Sequence, residues 1–366
     1  MRIFNKLVIA TLLVLLYMAP AFADEHAFLK GLPPSDGPLE VLMGFNLVNI
    51  TDVGEKNENV EFDGAIYLEW MDPRLAYDPA TYGMPANWTP GDYSMTPTHI
   101  YQGDYAVKET YMGWRPHVVI PNGIGNRIIS NMAISIWPDG RVAYSETFFA
   151  KAETPMDLRR FPFDAQSLEI FFHPFLYKRD EVILVPDDRL ARTWNQNMGI
   201  ADWSRENVTM REQAIDIAYF DESRSQVSEF VVNLQIKRRP THLLVSIILP
   251  MIILVALTWC VFWMDNESVS SRVNITFIGI LSVVAYYFVI LDNIPEVSYL
   301  TLIDAFIIST FMILSAGVVL SVVMETLGHK NKVHLARRVD RICRWAFPLG
   351  YFITASVLGV IFFNLY

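Results

Sequence analysis

The sequence predicts a β + α membrane protein: an exported antiparallel β-sandwich of about ten strands followed by a bundle of four transmembrane helices. Three observations carry this. The 366-residue chain is 52% hydrophobic, and its mean hydropathy of +0.26 is high for a water-soluble domain. The excess is concentrated after residue 240, in four apolar runs near the ~20 residues a spanning helix requires. Ahead of them, residues 39–238 divide into short alternating runs separated by turn residues, the period of half-buried strands.

The elements follow in order. Residues 1–23 have the make-up of a secretory signal: Arg2 and Lys6, an apolar run from Leu7 to Met18, then Ala21-Phe22-Ala23 as a small-x-small cleavage site. The run is short for a bilayer core of ~30 Å, and an uncleaved anchor is the alternative. Residues 24–239 form the outer domain. EVLMGFNLVNI, VEFDGAIYLEW, RIISNMAISIW, VAYSETFFA, SLEIFFHPF and EFVVNLQIKRR read as strands. Pro138-Asp139-Gly140 reads as a hairpin turn, because Asp-Gly supplies the positive φ a tight hairpin needs. The domain carries 32 Asp/Glu against 20 Lys/Arg, a formal charge of −12, which attracts cations and disfavours nucleic acid. It contains no cysteine, so it needs no disulfide and must be held by its core.

The membrane domain, residues 240–366, is expected to place helices at about 243–264, 270–291, 300–324 and 345–366. A short link at 327–344 has six Lys/Arg against one Asp, which marks the cytoplasmic side. Four spans return the C-terminus to the side of the outer domain, in agreement with an export signal. Pro250 interrupts the first span, where it frees a carbonyl and permits a kink, tolerated because neighbouring helices can re-satisfy the backbone. On the second, Asn274, Ile278, Leu281, Ala285, Phe288 and Asp292 share one face, polar at its ends and apolar between. Such a stripe serves equally as the core-facing side of a bundle or as a pore lining that closes by dewetting. Thr276, Gly279 and Ser282 lie on other faces and suit close helix packing.

Catalysis has little to stand on. The seven histidines are scattered, no phosphate-cradling glycine-rich loop occurs, and His329 and His334 have poor metal-ligand spacing. No enzyme, metal or cofactor is expected. A sugar-binding sandwich on a passive anchor is the alternative from another class.

Several motifs stand in a shared order: Trp70-Met71-Asp72-Pro73-Arg74-Leu75, Gly113-Trp114-Arg115-Pro116, Pro138-Asp139-Gly140-Arg141, Phe161-Pro162-Phe163-Asp164, Arg238-Arg239-Pro240, Ile248-Leu249-Pro250 and Ala346-Phe347-Pro348-Leu349-Gly350. By these the chain resembles the pentameric ligand-gated ion channels (the Cys-loop receptor superfamily), its bacterial branch most closely. The resemblance implies that the Phe-Pro-Phe-Asp loop lies at the foot of the sandwich and dips towards the helices. The places of the two bracketing cysteines of animal members hold Thr154 and Leu168. It implies that Asp164 pairs with Arg238, that Glu55 adds a second acid, and that the cluster passes motion to the linker Asn293-Ile294-Pro295-Glu296.

The resemblance also implies an agonist site between subunits, under a hairpin at about residues 219–229. Phe175, Tyr219 and Phe230 would be its aromatic residues, with His173 beside them, and an aromatic cage suits an ammonium. Protons are the rival stimulus, with Glu58, His99, His117 and His173 as candidate groups. Cation selectivity is expected from the acidic outer domain, from Asp292 and Glu296 at the outer mouth, and from the missing Pro-Ala-Arg entrance of anion channels. The places that hold glutamate in cation-selective relatives are Ser270 and Ser271 here. The implied partners are further copies of the chain in a homopentamer, the lipid bilayer, permeant monovalent cations and a small agonist or protons. The implied location is the inner membrane, multi-pass, with the N-terminal domain periplasmic.

Overall fold

The alternation in the outer domain becomes two stacked sheets in the computed structural model, described for residues 29–82, 99–190, 202–218, 224–264, 269–290, 297–329 and 333–365. The strands are β1 (Leu39–Gly54), β2 (Asn59–Met71), β3 (His99–Gln102), β4 (Val118–Val119), β5 (Ile128–Ile136), β6 (Arg141–Glu153), β7 (Ala165–Pro174), β8 (Val182–Pro186), β9 (Trp203–Ala218) and β10 (Arg224–Arg238). One sheet runs β3-β5-β6-β2-β1-β8 and the other β4-β7-β10-β9. All pairs are antiparallel except β1 with β8.

Period-2 patterning decides which side chains go inside. On β6, Val142, Tyr144, Glu146, Phe148, Ala150 and Ala152 are buried while the residues between them are half-buried. Between the sheets, Phe45, Phe62, Phe148, Phe172 and Phe230 pack tilted or edge to face, with ring centroids 5.7–6.5 Å apart, the geometry aromatic quadrupoles prefer. β9 is absent from the six runs read as strands. Its sequence, WSRENVTMREQAIDIA, is mostly polar, and most of its residues stay exposed or half-buried.

The first three motifs pack on one another. Gly140 has φ +86°, and a Cβ there would lie 2.5 Å from the carbonyl oxygen of Asp72, so the Asp-Gly turn fits only without a side chain. The Asp72 amide donates to the Gly140 carbonyl (2.9 Å), and its carboxylate receives Arg74 Nε (2.8 Å). Trp70 meets Trp114 edge to face at 5.6 Å.

The described helices α1 (Thr241–Trp263), α2 (Val269–Ile290), α3 (Leu302–His329) and α4 (Val333–Leu365) are each long and apolar enough to span a membrane. A π-helical turn at Leu244–Ile248 precedes Pro250 in α1. Pro250 cannot bond the Ser246 carbonyl, and the Tyr286 hydroxyl of α2 donates to that carbonyl instead. α1 and α2 approach closely at Gly279, where a Cβ would overlap the methyl of Thr258. The described residues of the basic stretch 327–344 are helical. α3 continues to His329 and α4 starts at Val333, so the spanning helix carries its arginines as an extension beyond the apolar run. A hydropathy reading stops at charges, whereas leucine, alanine and arginine all favour continued helix.

Candidate functional site

Three groups of residues at three heights make up the candidate site. The lowest part of the sandwich holds the junction with the helices. Arg238, the last residue of β10, is buried, with Nε 2.7 Å from Asp164 Oδ1, Nη2 3.3 Å from Asp164 Oδ2 and Nη1 2.7 Å from Glu55 Oε1. Glu55 comes from the 3-10 turn Glu55–Asn57 between β1 and β2. Asp164 is held in turn by Gln166 Nε2 (2.7 Å). The guanidinium lies over the rings of Trp203 (4.1 Å) and Phe161 (4.8 Å). A buried cation with two carboxylates and two aromatic faces fixes one geometry.

The loop carrying Phe161, Pro162 and Phe163 reaches the helices. Phe161 is buried and joined to Pro162 by a cis peptide bond. Phe163 is partly exposed and meets Phe363, near the end of α4, at 5.9 Å. Arg160 lies over the same Phe363 ring at 5.7 Å. The Leu158 amide donates to Tyr299 Oη (3.0 Å), and the Leu302 amide at the start of α3 donates to the Arg159 carbonyl (2.9 Å). Sequence reasoning placed Glu55, Phe161, Phe163, Asp164 and Arg238 here but missed Trp203, Tyr299 and Phe363, which sit in no motif. Pro295 and its linker lie outside the described residues.

The second group surrounds the tips of β7, β9 and β10. Phe175 is 48% exposed, meets the His117 ring edge-on at 5.6 Å, and its amide donates to the His117 carbonyl (2.7 Å). His173 Nε2 lies 2.7 Å from Glu229 Oε1, whose other oxygen accepts from Gln213 Nε2 (2.5 Å). This ties three strands together. Burial, then the charges of Arg115 and Arg127, hold the His117 imidazole below its usual value despite Glu146. Tyr219 lies outside the described residues. The expectation for Phe230 is corrected: it is 0% exposed, paired with Phe172 in the ladder and packed on that ring at 6.2 Å. β10 starts at Arg224, well before Phe230, so this ring points into the core rather than under the hairpin.

If an amine is the stimulus, Phe175→Ala is expected to weaken the response by about 2- to 30-fold, the range of one lost cation–π contact, with the fold intact. Phe230→Ala is expected to destabilise the domain by about 3–5 kcal/mol as a cavity mutation. Dose–response curves and thermal unfolding of the two variants separate these outcomes.

The third group is the α2 face. Asn274 and Ala285 are exposed, and Ile278, Leu281 and Phe288 are 60%, 59% and 66% exposed. The opposite side of the helix buries Thr276, Val283 and Ile290. Phe277 and Val289 are open too, so the uncovered surface is wider than the stripe. Tyr286 and Tyr287 are half-buried. Asp292 lies outside the described residues.

A further cluster escaped the sequence. A cavity of about 210 Å³ inside the sandwich is lined by Arg115, His117, Arg127, Tyr144 and Glu146 among others. Arg127 Nε is 2.9 Å from Glu146 Oε1, and Tyr144 donates to Glu146 Oε2 at 2.5 Å. Burial, then Glu146, pushes the Tyr144 hydroxyl up, which keeps its proton in place.

Comparison with known proteins now gives this geometry a family. Residues 26–240 match the neurotransmitter-gated ion-channel ligand binding domain and residues 247–334 the neurotransmitter-gated ion-channel transmembrane region. The proton-gated ion channel of Gloeobacter violaceus is 26% identical over 351 residues, 96% of this chain and 90% of that protein. An acetylcholine receptor subunit beta of Xenopus laevis is 23% identical over 84% of this chain, which spans 60% of that subunit. A human gamma-aminobutyric acid receptor subunit rho-3 is 23% identical over 76% of this chain, which spans 56% of it. The chain belongs to the neurotransmitter-gated ion-channel family, pentameric ligand-gated channels rather than enzymes, in which four membrane-spanning helices follow an extracellular domain.

Proposed function

We propose that five copies of this chain form a ring that conducts cations when a small amine-like ligand binds between neighbouring outer domains. The observation that carries the reading is the α2 face: Asn274, Ile278, Leu281, Ala285 and Phe288 all lie uncovered on one side of a helix whose other side packs into the bundle. One such helix encloses nothing, whereas five would stack these residues into rings around an axis. The acidic outer domain, 32 Asp/Glu against 20 Lys/Arg, supports cations by raising their concentration above the mouth. Half-exposed Phe175 beside His117 supports an aromatic surface for an ammonium. Ligand movement of the β9–β10 hairpin would reach the membrane along β10, whose far end is Arg238.

Gating by protons is the second reading. It is favoured by the Gloeobacter violaceus relative, whose name is proton-gated ion channel. One experiment tests both. Purified protein in a planar bilayer is exposed to a panel of primary amines at constant pH, then to pH steps without amine, under a sodium chloride gradient. Amine-evoked current reversing near the sodium potential is the expected result. Current evoked by pH alone transfers the proposal to the second reading, and reversal at the chloride potential overturns the selectivity.

A further inference from the structure

His117 belongs to the aromatic surface and to the inner cavity at once. It sits between the π-helical turn Ala106–Thr110 and β4, is exposed, and meets the Phe175 ring at 5.6 Å with the two planes 84° apart. The Phe175 amide donates to its carbonyl at 2.7 Å, so backbone as well as ring fixes the two residues to each other. The same histidine lines the cavity of about 210 Å³ that holds Arg115, Arg127, Tyr144 and Glu146, and a second of about 500 Å³ that reaches Lys151. The charges around it are mostly settled in pairs. Arg127 meets Glu146 at 2.9 Å, Lys151 meets Glu61 at 2.9 Å and Lys108 meets Asp104 at 2.7 Å. On β7 and β10, His173 is paired with Glu229. Arg115, on the same loop as His117, lies over the Tyr144 ring at 5.9 Å. Desolvation by neighbouring residues, then Arg115 and Arg127, outweighs Glu146 and holds the imidazole below its usual value. At neutral pH it carries no charge, and acid is needed to give it one.

We infer, resting on the amine reading above, that His117 makes the agonist site pH-sensitive: uncharged, it leaves the Phe175 ring to an ammonium, and charged, it repels one. The proton then opposes the amine instead of replacing it. An ammonium gains from an aromatic face when it lies within about 6 Å of the centroid. An imidazolium 5.6 Å from the same ring draws on the same quadrupole and adds a like charge. At a separation of ~10 Å and an effective dielectric of ~20, that repulsion weakens ammonium binding roughly tenfold. The amine concentration for half-activation is thus constant above the usual histidine value of ~6.5. It rises as pH falls through the lowered value of His117.

The full-length channel in planar bilayers, activated by propylamine from about pH 7.5 to about pH 5, tests this, because an alkylammonium keeps its charge over that range. Wild type is expected to need about tenfold more propylamine at the acid end, and His117→Gln to lose this dependence. His117→Lys should show the weakened response already at neutral pH. A flat wild-type profile overturns the inference, and this arm needs no variant to fold. The same fall in His117→Gln assigns it to another group, such as His173 with Glu229, and overturns the inference as well. Titration of the histidines by NMR, in isotope-labelled channel in lipid vesicles, gives the reciprocal reading without current, with His117→Gln identifying the signal. Saturating propylamine should move the His117 titration about one pH unit further into acid, the counterpart of a tenfold effect on binding. An unmoved titration beside a propylamine current overturns the role of His117 alone. Neither a current nor a moved titration overturns the amine reading, and the role of His117 falls with it.

Discussion

Arg238→Ala is expected to cost about 3–5 kcal/mol of stability, because it leaves Asp164 buried without its cation. Channels that still assemble should open poorly at saturating stimulus, with the concentration for half-activation less affected. The geometry gives the reason. Asp164 is 1% exposed, and its remaining side-chain partner is Gln166, which cannot balance a charge. Asp164→Ala strands the guanidinium between two rings with Glu55 alone. The two losses overlap, so a double-mutant cycle should show a coupling of about 1–3 kcal/mol, against near zero for independent sites. Thermal unfolding of the detergent-solubilised protein gives the stability cycle, and maximal current gives the gating cycle. Strict additivity in both would remove the pair as a coupled unit. Glu55→Ala should be milder, since Glu55 is about a quarter exposed and water replaces it.

Opening the pore without stimulus is the second large effect expected. An ion crossing a ring of phenylalanines loses hydration with no polar group to replace it, so a closed state needs no physical plug. Phe288→Ser and Leu281→Ser should let water persist in the constriction, giving standing current or activation by a weaker stimulus. A cysteine scan of α2 on a Cys260- and Cys343-free background, reacted with a water-soluble thiol reagent, checks the whole face. Labelling at 274, 278, 281, 285 and 288 supports the lining, and labelling without helical period counts against it. Tyr286 acquires a different role from the structure. Its hydroxyl holds the Ser246 carbonyl released by Pro250, so Tyr286→Phe should loosen the α1–α2 contact while leaving single-channel conductance unchanged.

The fold was legible because it is written in periods. Alternation marked six strands, hydropathy marked four helices, and Asp-Gly marked the hairpin whose glycine adopts φ +86°. β9 was harder to see because strand pairing holds it while little of it is buried, and patterns report burial. The junction was legible through the resemblance, since nothing in the spacing of Glu55, Asp164 and Arg238 announces that they meet. Their aromatic and helical partners, Trp203, Tyr299 and Phe363, come from three distant places and carry no local signature. Phe230 shows the limit of transferring a role by position. The residue was aligned to a binding site, but strand pairing puts its ring opposite Phe172, and a one-place difference in register exchanges surface for core. The inner cluster of Arg127, Tyr144 and Glu146 was hidden for a related reason: Tyr144 and Glu146 lie on the buried side of β6, where alternation predicts apolar residues, and Arg127 reaches them from the loop before β5.

Thr154 and Leu168 stand at the places of the bridging cysteines, and both are buried. The Thr154 hydroxyl instead accepts from the Glu169 amide at 3.2 Å, while the Thr154 amide donates to the Glu58 carbonyl at 2.8 Å. The stretch is fastened by exchangeable bonds, and no sulfur chemistry can cut it. A thiol reagent or disulfide reductant added to the outer solution thus finds no cysteine in this domain, and the two thiols of the chain are in the helices, one exposed at Cys260 and one buried at Cys343. The working of this coupling loop should therefore not depend on the thiol–disulfide balance of the medium around it.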